Sequence, residues 1–258
     1  MRPRPRRPST KRCAERRAHN PQRHQSPALR PTTWARPVCY APRAVSTWAV
    51  VVAAGSGSRF GAAKQFVDLA GRPVLEWSLE SARRACGGTV LVLPPGHVLD
   101  ATSTWDADVA VPGGASRSAS VRAGLSAVPD DADIIAVHDS ARPLARLELW
   151  RAVIDAVAGG ADAAIPATPV TDTVKEVGPG GHLVTLDRSR LVAVQTPQAF
   201  RAEVLRRVHL AATDATDDAA LVEAIGGRVV VVDGPPDNMK VTSATDLIVA
   251  AALMGARR

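Results

Sequence analysis

From Trp48 onward, short apolar runs alternate with amphipathic stretches, and that alternation limits the fold more than any other feature of the chain. WAVVVAAG (48–55), TVLVLPP (89–95), AAIPATPV (163–170) and RVVVVDG (228–234) are short, apolar and bounded by Gly, Pro or polar residues, as buried strands are. DIIAVHDSARP (133–143) reads as a strand running into a polar loop. Between them, PVLEWSLESARRA (73–85) puts Leu75, Leu79 and Ala82 on one helical face. SASVRAGLSAV (118–128), LELWRAVIDAVAGG (147–160), AEVLRRVHLAA, DDAALVEAIGG and SATDLIVAAALM (243–254) read as further helices. Strands alternating with helices predict an α/β fold, a mostly parallel sheet covered on both faces. No long linker follows residue 46, so 46–258 is expected to be one domain. The mixed stretch 171–198, with its Gly-Pro-Gly-Gly turn at 178–181, is its expected excursion.

Charge has to be located before it is interpreted. The formal net charge of +7 divides into +11 over residues 1–45 and −4 over residues 46–258. The first 45 residues also hold eight of the 20 prolines and two of the three cysteines. Proline density and self-repulsion predict a disordered leader. It lacks the apolar core of a secretory signal, and its prolines oppose the amphipathic helix of a transit peptide. A dispensable tail or an over-extended start is preferred to a functional leader. No run approaches about 18 apolar residues, which excludes a membrane-spanning helix. The three cysteines make neither a disulfide framework nor a zinc pattern.

Three loops follow strand signals and should meet at the carboxyl edge of the sheet, where open α/β sheets bind ligands. The first is AAGSGSRFGAAKQF (53–66). Gly55, Gly57 and Gly61 let backbone amides approach a phosphate chain. The spacing matches neither the dinucleotide fingerprint nor the P-loop. Arg59 and Lys64 add two cations, which fits a triphosphate whose charge must be neutralised during transfer; a flexible turn with surface charge is the alternative. The chain has 28 arginines and four lysines, Lys11, Lys64, Lys175 and Lys240. Such usage marks the lysines, because an ammonium follows a moving phosphoryl oxygen better than a rigid guanidinium. In the second loop, HDSARP (138–143), Asp139 suits Mg²⁺ or a substrate hydroxyl and Arg142 suits a phosphate, unless the two simply pair and cap the next helix. His138 reads as structural. In the third, PGGASRSAS (112–120), Gly113 and Gly114 permit close approach of a base or ribose that Ser120 can bond; Ser118 or Ser120 as a helix cap is the plainer reading. Cys86 reads as a packed apolar residue, and His97, His182 and His209 lack ligand spacing.

Taken in order, AAGSGSRFGAAKQF, GGASRSASV, HDSARP, PVTDTVKEV, LDRS…QTPQAF, TDDAALVE and DNMKVT resemble the 2-C-methyl-D-erythritol 4-phosphate cytidylyltransferases, from about Trp48 to Met254. The resemblance implies a Rossmann-like, GT-A-like nucleotidyltransferase that works as a cytoplasmic homodimer. Such an enzyme joins CTP to methylerythritol phosphate with Mg²⁺ and releases pyrophosphate. It implies that Arg59 and Lys64 stabilise the transition state and that Arg188 and Lys240 place the incoming phosphate. Asp139, Arg142, Thr173 and Thr196 would complete the substrate pocket. Ala53, Ala54, Gly55, Gly57, Gly113, Gly114 and Ser120 would hold the nucleotide. The arm at 168–192 would embrace a second subunit and offer it Thr173 and Arg188. Ala115 and Ser116 depart from acidic residues found in some members. Neither a membrane nor a specific nucleic-acid partner is expected. Two alternatives stay open: a cytidylyltransferase for another polyol phosphate such as ribitol 5-phosphate, and nucleic-acid binding through the basic leader.

Overall fold

The structure, a computed structural model, describes residues 44–55, 60, 63–98, 104–211, 214–215 and 217–256, all within the unit Arg43–Arg258. The expectation for residues 1–45 therefore falls almost wholly outside the described residues.

Strand β1 (Thr47–Val52) is followed by the small hairpin β2 (Asp68–Leu69) and β3 (Arg72–Pro73), then helix α1 (Val74–Ala85). Next come β4 (Gly88–Leu93), β5 (Val109–Pro112), α2 (Arg117–Leu125), β6 (Ile134–Asp139), α3 (Leu147–Ala158) and β7 (Ala163–Pro169). An exposed ribbon of β8 (Lys175–Val177) and β9 (Leu183–Thr185) leads to β10 (Val192–Val194) and β11 (Gln198–Arg201). The described chain ends with α4 (Ala202–Ala211), α5 (Asp218–Ala224), β12 (Val229–Asp233) and α6 (Ala244–Gly255).

β6, β1, β4 and β5 lie side by side and all run parallel. β11 joins β6 to β7, antiparallel to both. β12 takes the far edge of β7, parallel to it. Ala167 pairs with both Val194 and Asp233, so β10 and β11 follow each other along one edge of β7. Parallel neighbours require crossover connections, and the helices supply them.

The period of two along the strands sorts the core into two layers. Ala49, Val51, Leu91, Leu93, Ile134 and Ala136 face α1 and α3, with Trp150 buried among them. Val50, Val90, Val92, Ile135 and Val137 face α2, α4 and α5. A third cluster seats α6 through Ala250 and Met254 against Leu69, Val74 and Leu144. A capping box starts α6: Ser243 Oγ accepts from the Asp246 amide, and the Asp246 carboxylate accepts from the Ser243 amide.

Two local expectations change. The antiparallel β10 lies inside the mixed stretch and the antiparallel β11 begins at its last residue, Gln198; strands of three and four residues carry too little periodicity to read. Helix α2 is capped by Ser116, whose side chain accepts from the Ala119 amide at 3.1 Å, and not by Ser118 or Ser120. The cap falls where the chain is extended, one residue before the first helical position.

Candidate active site

Because β1, β5 and β6 are parallel, their carboxyl ends share one edge, and the three loops converge there on a cleft of about 550 Å³. Ala53, Ala54, Gly55, Lys64, Gly114, Ser120, Asp139 and Lys240 all line it. Arg59 and Gly57 lie outside the described residues.

Asp139 closes β6 and is 9% exposed. Its Oδ2 accepts from Lys240 Nζ at 2.5 Å, from a residue 101 positions away, and its Oδ1 from Arg117 Nε at 3.3 Å. Burial alone would raise this carboxyl, but Arg117 and Lys240 more than offset it and hold the pKa well below the usual carboxylate range. Arg117 also reaches Asp218, with Nη1 2.8 Å from Oδ2. Asp218 accepts from His209 Nε2 at 3.0 Å through its other oxygen. The result is a continuous line, Lys240–Asp139–Arg117–Asp218–His209. Among the described residues lining the cleft, Asp139 is the single carboxylate beside three cations, Lys64, Arg117 and Lys240. That excess suits a polyanionic ligand.

Neighbouring contacts fix the positions of these charges. Lys64 begins a short 3₁₀ turn, and its Nζ donates to Val241 O at 2.8 Å. The Val241 amide donates to Ala141 O at 2.8 Å, so this one residue ties the first loop to the second. Fully buried Asn238 donates to Gln195 Oε1 and to Thr196 O, each at 3.0 Å, and so fastens the Lys240 segment to the β10–β11 junction.

His138 is fully buried, and burial pushes its pKa down to about 3. The ring is therefore neutral. Its Nε2 faces Arg142 O at 3.3 Å and carries the proton, because a carbonyl can only accept. Nδ1 then accepts from the Thr196 hydroxyl at 3.1 Å, while Thr196 Oγ1 accepts from the Asp139 amide at 3.1 Å. The structural reading of His138 holds.

Several expected ligand contacts are occupied within the protein. Arg142 donates to Asn238 O at 2.8 Å and Val194 O at 3.3 Å, and burial lowers its pKa, so two carbonyls take the fork expected to grip a phosphate. Ser120 accepts from the Gly114 amide at 3.2 Å and donates to Ser116 O at 2.9 Å. Gly113 serves loop-to-loop approach: a Cβ there would fall 2.2 Å from Ala54 Cβ and 2.9 Å from Ser120 Oγ. Thr173 and Arg188 are exposed in the arm, where Arg188 donates to Thr171 O; neither lines the cleft of its own chain.

The option of Asp139 as a magnesium ligand does not fit, since each of its oxygens already faces a cation. The described residues contain no group of three or more His, Cys, Asp or Glu placed to hold a metal ion.

Sequence reading missed Arg117, Asp218, His209 and Asn238. Arg117 did leave a signal. It stands in the first turn of α2, where the helix macrodipole disfavours a cation, so it needed carboxylate partners from elsewhere.

The family model for 2-C-methyl-D-erythritol 4-phosphate cytidylyltransferase (IspD) matches residues 47–256. The chain is 44% identical over 237 residues to the enzyme of that description from Streptomyces avermitilis, covering 84% of this chain and 95% of the relative. It is likewise 44% identical over 232 residues to the one from Streptomyces coelicolor, covering 82% and 86%. Among solved structures, 4-diphosphocytidyl-2C-methyl-D-erythritol synthase from Anaerococcus prevotii superposes with a TM-score of 0.71 at 30% identity, covering 82% of this chain and 99% of the other. The cytidylyltransferase of Thermus thermophilus gives 0.69 at 34% identity, covering 80% and 98%. The match spans every strand and helix that builds the cleft, and the chain belongs to the 2-C-methyl-D-erythritol 4-phosphate cytidylyltransferase family.

Proposed function

We propose that this chain transfers the cytidylyl group of CTP to 2-C-methyl-D-erythritol 4-phosphate. The observation that carries the reading is the cleft at the carboxyl edge of β1, β5 and β6, with one buried carboxylate among three cations. The substrate's phosphate oxygen is already an anion, so its attack on the α-phosphorus needs no general base. A new P–O bond forms, the bond to the β-phosphate breaks, and pyrophosphate leaves with the electron pair. What the protein supplies is alignment of two anions and positive charge where negative charge grows.

In this reading Lys64, with Arg59, serves the triphosphate, and Lys240 meets the sugar phosphate. Ala53, Ala54, Gly55 and Gly114 give the nucleotide a backbone-lined wall, with Gly113 and Ser120 shaping it. Arg142 and Thr196 hold the floor in place. Magnesium enters on the triphosphate itself.

A homodimer completes the site. The ribbon of β8 and β9 exposes Val177 (70%), Leu183 and Val184, an apolar surface on an element too small to stand alone, and Val192 and Val194 of the adjoining β10 are exposed as well. A partner covering it would receive Thr173 and Arg188 at its cleft. Use of CTP points to the cytoplasm, and no helix of the described residues is long and apolar enough to cross a membrane.

Pyrophosphate release with CTP and either methylerythritol phosphate or ribitol 5-phosphate tests the proposal. Turnover with methylerythritol phosphate is expected; turnover with ribitol phosphate only would overturn it. The nucleic-acid alternative predicts salt-sensitive retention on DNA that disappears when residues 1–45 are removed. Full transferase activity in the truncated protein makes the leader irrelevant to the main function.

A further inference from the structure

We propose that Asp218 and His209 are positioning residues for Lys240: they lock Arg117 onto Asp139 as a resident counter-ion, so that Lys240 can leave that carboxylate for the substrate phosphate. The inference rests on the reading of the cleft given above and adds how its mobile charge is prepared.

Asp218, the first residue of α5, is 1% exposed, and His209, in the last turn of α4, is 3% exposed. One Asp218 oxygen accepts from His209 Nε2 at 3.0 Å, and the other lies 2.8 Å from Arg117 Nη1. One oxygen is thus committed to a hydrogen bond and the other to an ion pair. Arg117 turns its Nε to Asp139 at 3.3 Å, so this guanidinium is held between two carboxylates. Lys240 is bonded to Asp139 through its single nitrogen and is the more exposed of the two cations. A lysine on a flexible stem is the one that moves; a doubly paired arginine is the one that stays.

When a phosphate draws Lys240 Nζ away, Asp139 loses one of its two cationic partners. A buried carboxylate left without any partner is strongly unfavourable, so Lys240 would be reluctant to leave unless Arg117 remained. Arg117 also lines the cleft and would itself turn toward bound phosphates if nothing held it. Asp218 holds it from behind, and His209 holds Asp218.

The test separates this role from packing. His209→Gln keeps an N–H donor for Asp218; His209→Leu keeps apolar volume and loses the donor. Measured as pyrophosphate release from the full chain, His209→Leu and Asp218→Asn are expected to lower kcat about tenfold while KM for CTP changes little. His209→Gln should stay near the wild type. A packing role predicts the reverse order, Leu at or above Gln, and that order overturns the proposal; so does unchanged kcat in both His209→Leu and Asp218→Asn. If Asp218→Asn does not fold, the two His209 variants decide. Wild-type turnover distinguishes the failures: its absence removes the functional reading and this inference with it, whereas turnover indifferent to the substitutions removes this inference alone.

Discussion

The cleft and the arm are built on opposite physical terms. In the cleft, charges of one chain meet each other, with buried Asp139 between Lys240 and Arg117 and Asp218 behind. In the arm, β8 and β9 pair only with each other, every residue of the ribbon is exposed, and its surface carries valines and a leucine. Paired charges within one chain describe a site that one chain can shape. Exposed apolar side chains on the ribbon are what the proposed second subunit would cover. The two regions should therefore respond differently to substitution, dilution and acid.

The largest expected effect is in the cleft. Lys64→Ala or Lys240→Ala should lower turnover about 10²-fold, with a much smaller change in CTP affinity, measured by single-turnover kinetics and calorimetry. Equal losses in both would reduce these lysines to nucleotide holders. Mixing subunits then sharpens the contrast. Arg188→Ala and Lys64→Ala proteins, each nearly inactive alone, should regain one working site per heterodimer if Arg188 acts in trans. No recovery in a verified heterodimer places the arginine's work in its own chain.

Acid should affect the floor of the cleft in a defined window. His138 has its pKa lowered from 6.5 to about 3, so as pH falls below about 6.5 the unfolded chain takes up a proton that the folded chain refuses. Stability is full above that value and declines as pH falls toward 3. The expected loss is on the order of a few kcal/mol. Denaturant unfolding across this range should show a flatter pH dependence for His138→Gln than for the wild type; parallel curves would break the assignment. Asp139, whose pKa is also depressed, contributes in the same sense at lower pH: its stabilisation is present above about pH 4 and lost only in stronger acid.

The arm should respond to concentration instead. Val184→Asp should shift the sedimentation profile toward monomer and reduce turnover in proportion, while CTP binding to each cleft persists. A stable dimer in that variant would remove the arm from the interface. The smallest expected effect lies far from the comparison and calibrates it. Ser243→Ala removes the α6 cap and should cost about 1 kcal/mol of stability with kcat unchanged.

The regular part of the fold was legible because periodicity is local. Val50 and Val51 announce opposite faces of one strand, and Leu75 and Leu79 announce one face of a helix. The glycine loops and both cleft lysines were legible too, through backbone permissiveness and through the scarcity of lysine. The pairings were not. Asp139 meets Lys240 and Arg117 only after the sheet is assembled, and in sequence each looks like an ordinary surface charge. The pair of aspartates at 217 and 218 reads as a helix start, and it is one. Nothing local tells that Asp218 turns inward to an arginine 101 residues earlier. Arg142 taught the converse: a guanidinium in a ligand-facing loop can be consumed by carbonyls of distant segments, here those of Asn238 and Val194.

The hydrogen-bond line from Asp139 to Arg142 runs in one direction only. The carbonyl of Arg142 sets the His138 tautomer, the tautomer sets the Thr196 hydroxyl, and the hydroxyl proton points away from the Asp139 amide into the ring. Thr196 therefore has only a lone pair left to offer. Asp139 is thereby held at its amide by Thr196 and at its two carboxylate oxygens by Arg117 and Lys240, so backbone and side chain of one residue are fixed by separate partners, and Lys240 can move without the end of β6 moving with it.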